Sequence, residues 1–412
     1  MTENKNQNPD LGPDLGLQKP KLVVLAAGGT GGHIFPAAAL AESLCAQNIG
    51  VRLITDKRGQ AFSVNGSTIE THRIAAGSPN YRGIGVFGKL WTVCKLGIGS
   101  IQSFLLMLKL KPDVVVGFGG YAAAPTIFAA WVLRAPIIIH EQNAILGRTN
   151  RLFSRFAKFI ATSFQNTESL DLNQFRKAVF TGNPVRSDIA RIGDDGYPPA
   201  STDGKIRILI TGGSQGAHIF SYVIPKAIEL LPQSLRDKLV ISQQCREEDK
   251  AEAIAAYAKM KVQAEVATFF TDVGKRLSES HLVIMRAGAS TVAELTAAGR
   301  PSILVPYAHA LDNHQMINAR ALADKNAAWL MPQDAFQPEA LAARLESYLT
   351  LPDTLIQTAR AAKSLGVRDA AQRLTRLVIK THGINRDLLK NKDPQDDYGD
   401  NVLGGLPNEQ AA

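Results

Sequence analysis

The sequence predicts an α/β protein of two Rossmann-like doubly wound domains facing a cleft, and three observations lead there. Apolar strand patterns alternate with helix patterns over residues 21 to 330, the arrangement of open parallel sheets covered by helices. The 412 residues are two to three times an ordinary domain of ~100 to 200. The second half also opens as the first does: LVVLAAGGTGGH ends at His33 and IRILITGGSQGAH at His218.

Each element follows from its local pattern. Strands are expected over residues 22–26, 51–55, 114–118 and 137–140, then 206–211, 239–242, 282–285 and 302–305, all short runs rich in Val, Ile and Leu. Helical patterns such as 36–47 and 219–231 lie between them. Residues 337–381 read as helices only, and the last, 368–380, is placed to pack back across the hinge. The organisation expected is a disordered tail at 1–20, an N-terminal domain at 21–186, a linker at 187–204 and a C-terminal domain at 205–370. Residues 371–382 end the last helix and 383–412 form a polar, disordered tail. The uncharged run 114–133 is about as long as a bilayer crossing. Gly117, Gly119, Gly120 and Pro125 inside it argue instead for a buried strand, a glycine turn and a helix.

Composition narrows the classes. With 45% hydrophobic and 20% charged residues, a disordered or collagenous chain is excluded. Cys45, Cys94 and Cys245 lie far apart, which excludes a disulfide framework or a Cys-x-x-Cys site and fits a reducing cytoplasm. Residues 1–20 lack the basic start and apolar run of a signal peptide.

Charge is unevenly shared. The formal net charge is +9, but residues 21–186 carry +11 and residues 187–382 only +2. A basic half attracts nucleic acid, acidic substrates or anionic lipid. No nucleic-acid motif accompanies it, so no nucleic-acid partner is expected. In residues 81–111, Ile84, Val86, Phe87, Leu90, Trp91 and Leu96 are interleaved with Arg82, Lys89, Lys95, Lys109 and Lys111. That pattern suits a surface resting on anionic headgroups; a core helix with a solvated face is the alternative.

A glycine-rich turn between strand and helix lets backbone approach a ligand and aims free N–H groups at it, so either turn can hold a diphosphate. Neither matches Gly-x-x-x-x-Gly-Lys-Ser/Thr, which excludes a P-loop nucleotidase. Asp56 ends the second strand where a dinucleotide's ribose acid would stand, but Gly28-Gly29-Thr30-Gly31-Gly32-His33 is not Gly-x-Gly-x-x-Gly.

Taken in order, GGTGGH, HEQN at 140–143, GNPVR at 182–186, GGSQGA at 212–217 and RAGASTVAE at 286–294 resemble the MurG family of bacterial peptidoglycan glycosyltransferases, over about residues 21–370. The resemblance implies a two-Rossmann GT-B fold at the inner face of the plasma membrane. It implies transfer of N-acetylglucosamine from UDP-N-acetylglucosamine to the C4 hydroxyl of lipid I, the undecaprenyl-pyrophosphoryl muramoyl pentapeptide, with inversion, to form lipid II. The partners implied are the UDP-sugar, lipid I and an anionic membrane surface.

Residues then take roles. For the diphosphate, the candidates are the amides of Gly213, Ser214 and Gln215, the Ser214 hydroxyl, and Arg186 reaching in from the hinge; a linker salt bridge is the rival for Arg186. No Asp-x-Asp pair calls for a metal, and no cofactor is expected. Glu294 matches the family's ribose contact, with Ala289, Ser290, Thr291, Val292 and Ala293 lining the same pocket, although Thr291 and Glu294 also read as a capping box. Phe270 matches the position whose backbone meets uracil; its side chain suits the core equally. Gln315 matches the reader of the sugar hydroxyls, next to His314, where some relatives carry a second Gln. Asn143 with Thr30, Gly31 and Gly32 completes the donor-sugar and acceptor side, a structural Asn in a turn being the alternative. His33 is the candidate base, since a histidine at a helix start can titrate near neutrality; a helix-end His bonded to backbone is its rival.

Two other functions are compatible with the sequence. An NAD-dependent or UDP-sugar-modifying oxidoreductase or epimerase would use the first turn and Asp56, but no Tyr-x-x-x-Lys pair with catalytic spacing is present. A non-enzymatic, membrane-docked protein binding a UDP-sugar or lipid phosphate would keep the basic patch yet tolerate loss of Arg186 or Gln315.

Overall fold

A computed structural model of the chain describes residues 18–59, 61–64, 66–77, 86–198, 204–213 and 216–390. Tyr81, Arg82 and Ile84 of the basic-apolar stretch, and Ser214 and Gln215 of the second turn, lie outside the described residues.

Among the described residues, the strands form two parallel sheets and one short antiparallel pair, Ser63–Val64 with Ser67–Thr68. In the first, seven strands run in the order Thr71–Arg73, Gly50–Thr55, Leu22–Ala26, Val114–Gly117, Ile137–Glu141, Phe159–Thr162 and Ala178–Phe180. In the second, six run Gln263–Ala267, Leu239–Gln244, Ile206–Thr211, Leu282–Met285, Ser302–Leu304 and Trp329–Leu330. Each sheet reverses direction of build beside its first strand, where Val23 pairs with Val114 and Ile208 with Leu282. Ligands of open α/β sheets bind outside the carboxyl ends of the strands at that reversal. Both glycine-rich turns sit there.

Strands covered on both faces must be apolar on both, which is why the sequence pattern is continuous rather than alternating. Val23 and Leu25 pack with Leu40 and Leu44 of the helix Gly31–Cys45, while Val24 and Ala26 pack with Met107 and Ile127 on the other face. Burying such a side chain is worth roughly 1.5–3 kcal/mol, so the first strand alone anchors both layers.

The helix Gly31–Cys45 begins five residues before the expected start at 36 and carries Pro36 inside it. Proline withholds the N–H that would bond the Gly32 carbonyl and ordinarily breaks a helix, so packing of Ile34, Ala37 and Leu40 against the sheet decides the matter. Within the expected linker, Ser187–Asp195 forms a helix whose Ile189 and Ile192 join the core of the second unit. The run 114–133 is a strand, a turn and the helix Ala124–Val132, as expected.

The last helix, Ala370–Lys390, leaves the second unit and docks on the first: Leu374, Leu377, Val378 and Ile379 enter the core beside Leu40, and Thr375 hydrogen-bonds Ser43 at 2.8 Å. The expectation of a disordered tail from 383 is therefore corrected for residues 383–390, which continue this helix. Once a helix is nucleated, each further residue adds a hydrogen bond at little cost. Residues 391–412 lie outside the described residues.

The helix Val86–Leu110 is inverted relative to a core helix. Among the described residues, its buried positions are Thr92, Gly99, Ser103 and Met107, while Leu90, Trp91, Val93, Ile98, Ile101, Leu105 and Leu108 are exposed. Its segment Leu90–Leu110 is long and apolar enough to cross a membrane. Beside it, the helix 124–132 exposes Phe128, Trp131 and Val132, widening a patch that the sequence placed on residues 81–111 alone.

Candidate functional site

The first turn leads directly into a helix start. Thr30, exposed and extended, is the N-cap, and its carbonyl accepts from the N–H groups of His33 and Ile34, both at 3.0 Å. No side chain caps this end, which leaves first-turn N–H groups for a ligand. A Cβ on Gly29 would lie 2.6 Å from Asp56 and the Arg58 backbone, whereas one on Gly32 would meet nothing within 4 Å. Gly29 serves close packing; Gly32 faces open space.

His33 sits behind this turn in a hydrogen-bond chain whose polarity can be worked out. The Gly182 carbonyl can only accept, so His140 Nε2 donates to it at 3.2 Å and His140 Nδ1 is left as an acceptor. Gln142 Nε2 then donates to His140 Nδ1 at 2.9 Å and to the His140 carbonyl at 3.0 Å. That turns Gln142 Oε1 toward His33 Nδ1, 3.2 Å away, so Nδ1 carries the proton and Nε2 the lone pair. Burial lowers the pKa of His33, against upward pulls from Glu141, Gln142 and the Phe118 carbonyl, with His314 adding a further push down. Burial also lowers His140, to about 4. Both rings are neutral at pH 7.

Asn143 is positioned from both sides. Glu141 Oε1 accepts from its N–H at 3.0 Å and its Nδ2 at 3.1 Å, while Glu141 Oε2 accepts from Gly147 at 2.9 Å and Asn150 at 2.7 Å. Across the cleft, Asn318 Nδ2 donates to Asn143 Oδ1 at 3.2 Å.

On the second unit, Gly288 is the N-cap of the helix Ala289–Ala298, with no side-chain cap. Thr291 lies inside the helix, so the capping box does not form and Glu294 is released from that task. Ala289 and Val292 are buried, Thr291 and Ala293 partly so, and the buried Ser290 Oγ has no partner. Burial raises the Glu294 pKa to about 7, with Arg186 pulling it down and Asp188 pushing it up. Arg186 caps the helix 187–195, lies 3.7 Å from Asp188 and stands over the Phe35 ring at 5.9 Å. It therefore bridges the first helix of one unit and the Glu294 pocket of the other.

Gln315 opens the helix His314–Ala323 and accepts from the Tyr307 N–H at 2.9 Å. The preceding Asp312 and Asn313 both adopt left-handed φ, 52° and 54°, a strain that persists only where surroundings enforce it. Arg148 supplies part of that enforcement, gripping Asp312 through Nε and Nη2 at 2.6 to 3.1 Å across the cleft.

The Phe270 side chain is core, 5% exposed under the Arg276 guanidinium. Gly213 and Gly216 of the second turn have φ of 84° and 69°, which side chains rarely adopt. Asp56 is occupied, accepting from Arg58 N, Nε and Nη2, which removes it as a ribose acid. Gln142, Glu141, Asn318 and Arg148 were not singled out from sequence. For the first two, the HEQN motif was the available signal.

Residues 23–162 match the glycosyltransferase family 28 N-terminal domain and residues 207–374 the family 28 C-terminal domain. The chain is 49% identical to the UDP-N-acetylglucosamine N-acetylmuramyl-(pentapeptide) pyrophosphoryl-undecaprenol N-acetylglucosamine transferase of Rhodospirillum centenum, covering 88% of this chain and 95% of that one. It is 48% identical to the transferase of the same name from Paramagnetospirillum magneticum, covering 88% and 97%. The crystal structure of Acinetobacter baumannii MurG superposes with a TM-score of 0.68 at 31% identity, covering 88% of this chain and all of that one.

Proposed function

Because the chain belongs to glycosyltransferase family 28, we propose that its cleft transfers N-acetylglucosamine from UDP-N-acetylglucosamine to the C4 hydroxyl of undecaprenyl-pyrophosphoryl muramoyl pentapeptide, yielding lipid II for peptidoglycan. The chain is a UDP-N-acetylglucosamine-dependent glycosyltransferase of two-domain GT-B fold. Supply of lipid II ties it to wall biogenesis, and through that to cell shape and division.

The observation that carries the mechanism is the hydrogen-bond chain ending at His33, which leaves the Nε2 lone pair available on a neutral ring. The acceptor O4 attacks C1 of the sugar as the C1–O bond to UDP breaks, and the O4 proton passes to His33 Nε2. Attack from the face opposite UDP inverts the anomeric centre from α to β. Negative charge developing on UDP is stabilised by Arg186 and by the second turn at Gly213. Glu294 accepts from the ribose hydroxyls, with residues 289–293 around it and the Phe270 backbone at the base. Gln315 and Asn143 read the sugar. The turn Thr30–Gly31–Gly32 presents free N–H groups to the acceptor's diphosphate.

The lipid acceptor needs an enzyme at a bilayer, and the inverted helix 86–110 supports docking there. Exposed Trp91, Ile101 and Leu105, together with Trp131 and Val132, offer an apolar face, while Lys95 over Trp91 and the +11 charge of residues 21–186 favour anionic lipid. Peripheral attachment at the cytoplasmic face follows, since the UDP-sugar is a cytoplasmic metabolite. Ile101→Glu with Leu105→Glu should abolish sedimentation with phosphatidylglycerol vesicles.

The direct test supplies labelled UDP-N-acetylglucosamine and lipid I and looks for disaccharide-lipid, with UDP-N-acetylgalactosamine as the control. Absence of product with the first donor overturns the reading.

A further inference from the structure

One side chain ties three walls of the cleft together. Asn318, completely buried, stands one turn beyond Gln315 on the helix 314–323. Its Oδ1 accepts from the Ala144 N–H at 2.8 Å, and its Nδ2 donates to Asn143 Oδ1 at 3.2 Å and to the Ala287 carbonyl at 3.1 Å. Residues 143 and 144 belong to the first unit; Ala287 leads into the helix start at 289. The amide orientation is unambiguous, because the Ala144 N–H can only donate and the Ala287 carbonyl can only accept.

The polarity propagates. Glu141 takes the Asn143 N–H and Nδ2, so Asn143 Oδ1 is the end left for Asn318. Held at both ends, the Asn143 amide keeps one orientation, with one Nδ2 hydrogen not used by Glu141. A buried amide with every polar atom paired costs little, whereas one with a partner removed costs its full desolvation. The three bonds of Asn318 are therefore made together or lost together.

We propose that Asn318 is a positioning residue for the transfer: it fixes the Asn143 amide and locks the acceptor-side loop to the donor-side helix and turn when the two units close. It touches neither substrate. The inference rests on the transfer reading of this cleft and deepens it, because it makes Asn143 orientation depend on the unit that holds the donor.

The test combines turnover, donor binding and amide exchange in the full-length protein. Asn318→Ala should lower kcat on the order of 10²-fold, as small misplacements of a reacting geometry do, with UDP affinity within about threefold of wild type because Arg186 and Glu294 are untouched. Asn143→Ala combined with Asn318→Ala should be no slower than the slower single variant. Multiplied losses, wild-type turnover in Asn318→Ala, or a parallel collapse of UDP binding would each overturn the proposal. Asn318→Asp keeps the Ala144 acceptor but not the two donors. It should fold, protect the Ala144 amide from hydrogen exchange and still be slow; if it turns over normally, the Asn143 bond has no role. Amide exchange at Ala144, faster in Asn318→Ala than in wild type, does not need turnover. The inter-unit bond thus stands or falls separately from the chemistry assigned to the cleft, and unchanged exchange would refute it.

Discussion

The turn at 28–33 and the turn at 212–218 each follow the first strand of a parallel sheet and lead to a histidine at a helix start, yet they solve different problems. In the second, Gly213 and Gly216 are left-handed and His218, exposed, pairs with the Asp249 carboxylate at 2.7 Å. In the first, no glycine from 28 to 32 has positive φ; Gly29 is needed for close approach, and His33 faces an amide. Burial, the largest influence on His33, keeps that ring neutral. Matching sequences therefore mark two similar turns, but the histidines that follow them differ in burial and in partner.

The largest effect expected separates the two histidines. His33→Ala should reduce kcat by roughly 10²- to 10⁴-fold, the usual worth of a positioned base, with UDP binding retained, while His218→Ala should stay within about threefold. Equal losses in steady-state transfer assays would break the comparison.

Stability against pH sharpens it next. His140, whose folded pKa is depressed to about 4, stays neutral in the fold while the unfolded chain takes up a proton near 6.5. Its contribution is therefore intact above pH 6.5 and is lost as pH falls from 6.5 toward 4, by roughly 3 kcal/mol. His33, shifted the same way, adds to the loss. Urea midpoints at pH 7 and pH 5 should differ accordingly, the lower pH giving the lower midpoint.

The smallest effect lies on the donor side. With Glu294 near a pKa of about 7, the proposed ribose contact predicts that UDP affinity rises between pH 6 and 8 by up to about tenfold, as the carboxylate forms. Calorimetry on Glu294→Gln should show a flat profile; a slope there would assign the titration elsewhere.

Much of this was legible in the sequence because strands buried on both faces are written as unbroken apolar runs. The five motifs likewise marked Arg186, Asn143, Glu294 and His33, and the structure brings these to one cleft. Helix starts were less legible: Gly31, Gly32 and Pro36 are poor helix formers locally, and tertiary packing overrides them. The helix 187–195 was hidden by the Gly and Asp residues at its end. Asn318 was invisible for another reason, since its partners lie 31, 174 and 175 residues away and no local pattern encodes them. The inverted helix 86–110 was half legible: its composition suggested an interface, but only the fold shows that Thr92, Gly99, Ser103 and Met107 turn inward while most of its large apolar residues face out.

The crossing of the final helix onto the first unit has a mechanical consequence. The chain passes between lobes twice, near Arg186 and again near 367–370, and the passages touch: a Cβ on Gly182 would fall 2.6 Å from Val367. Two adjoining straps resist twist and sliding but permit bending about the line that joins them. Bending about that line is the relative motion such a join constrains least, as in a book held at its spine.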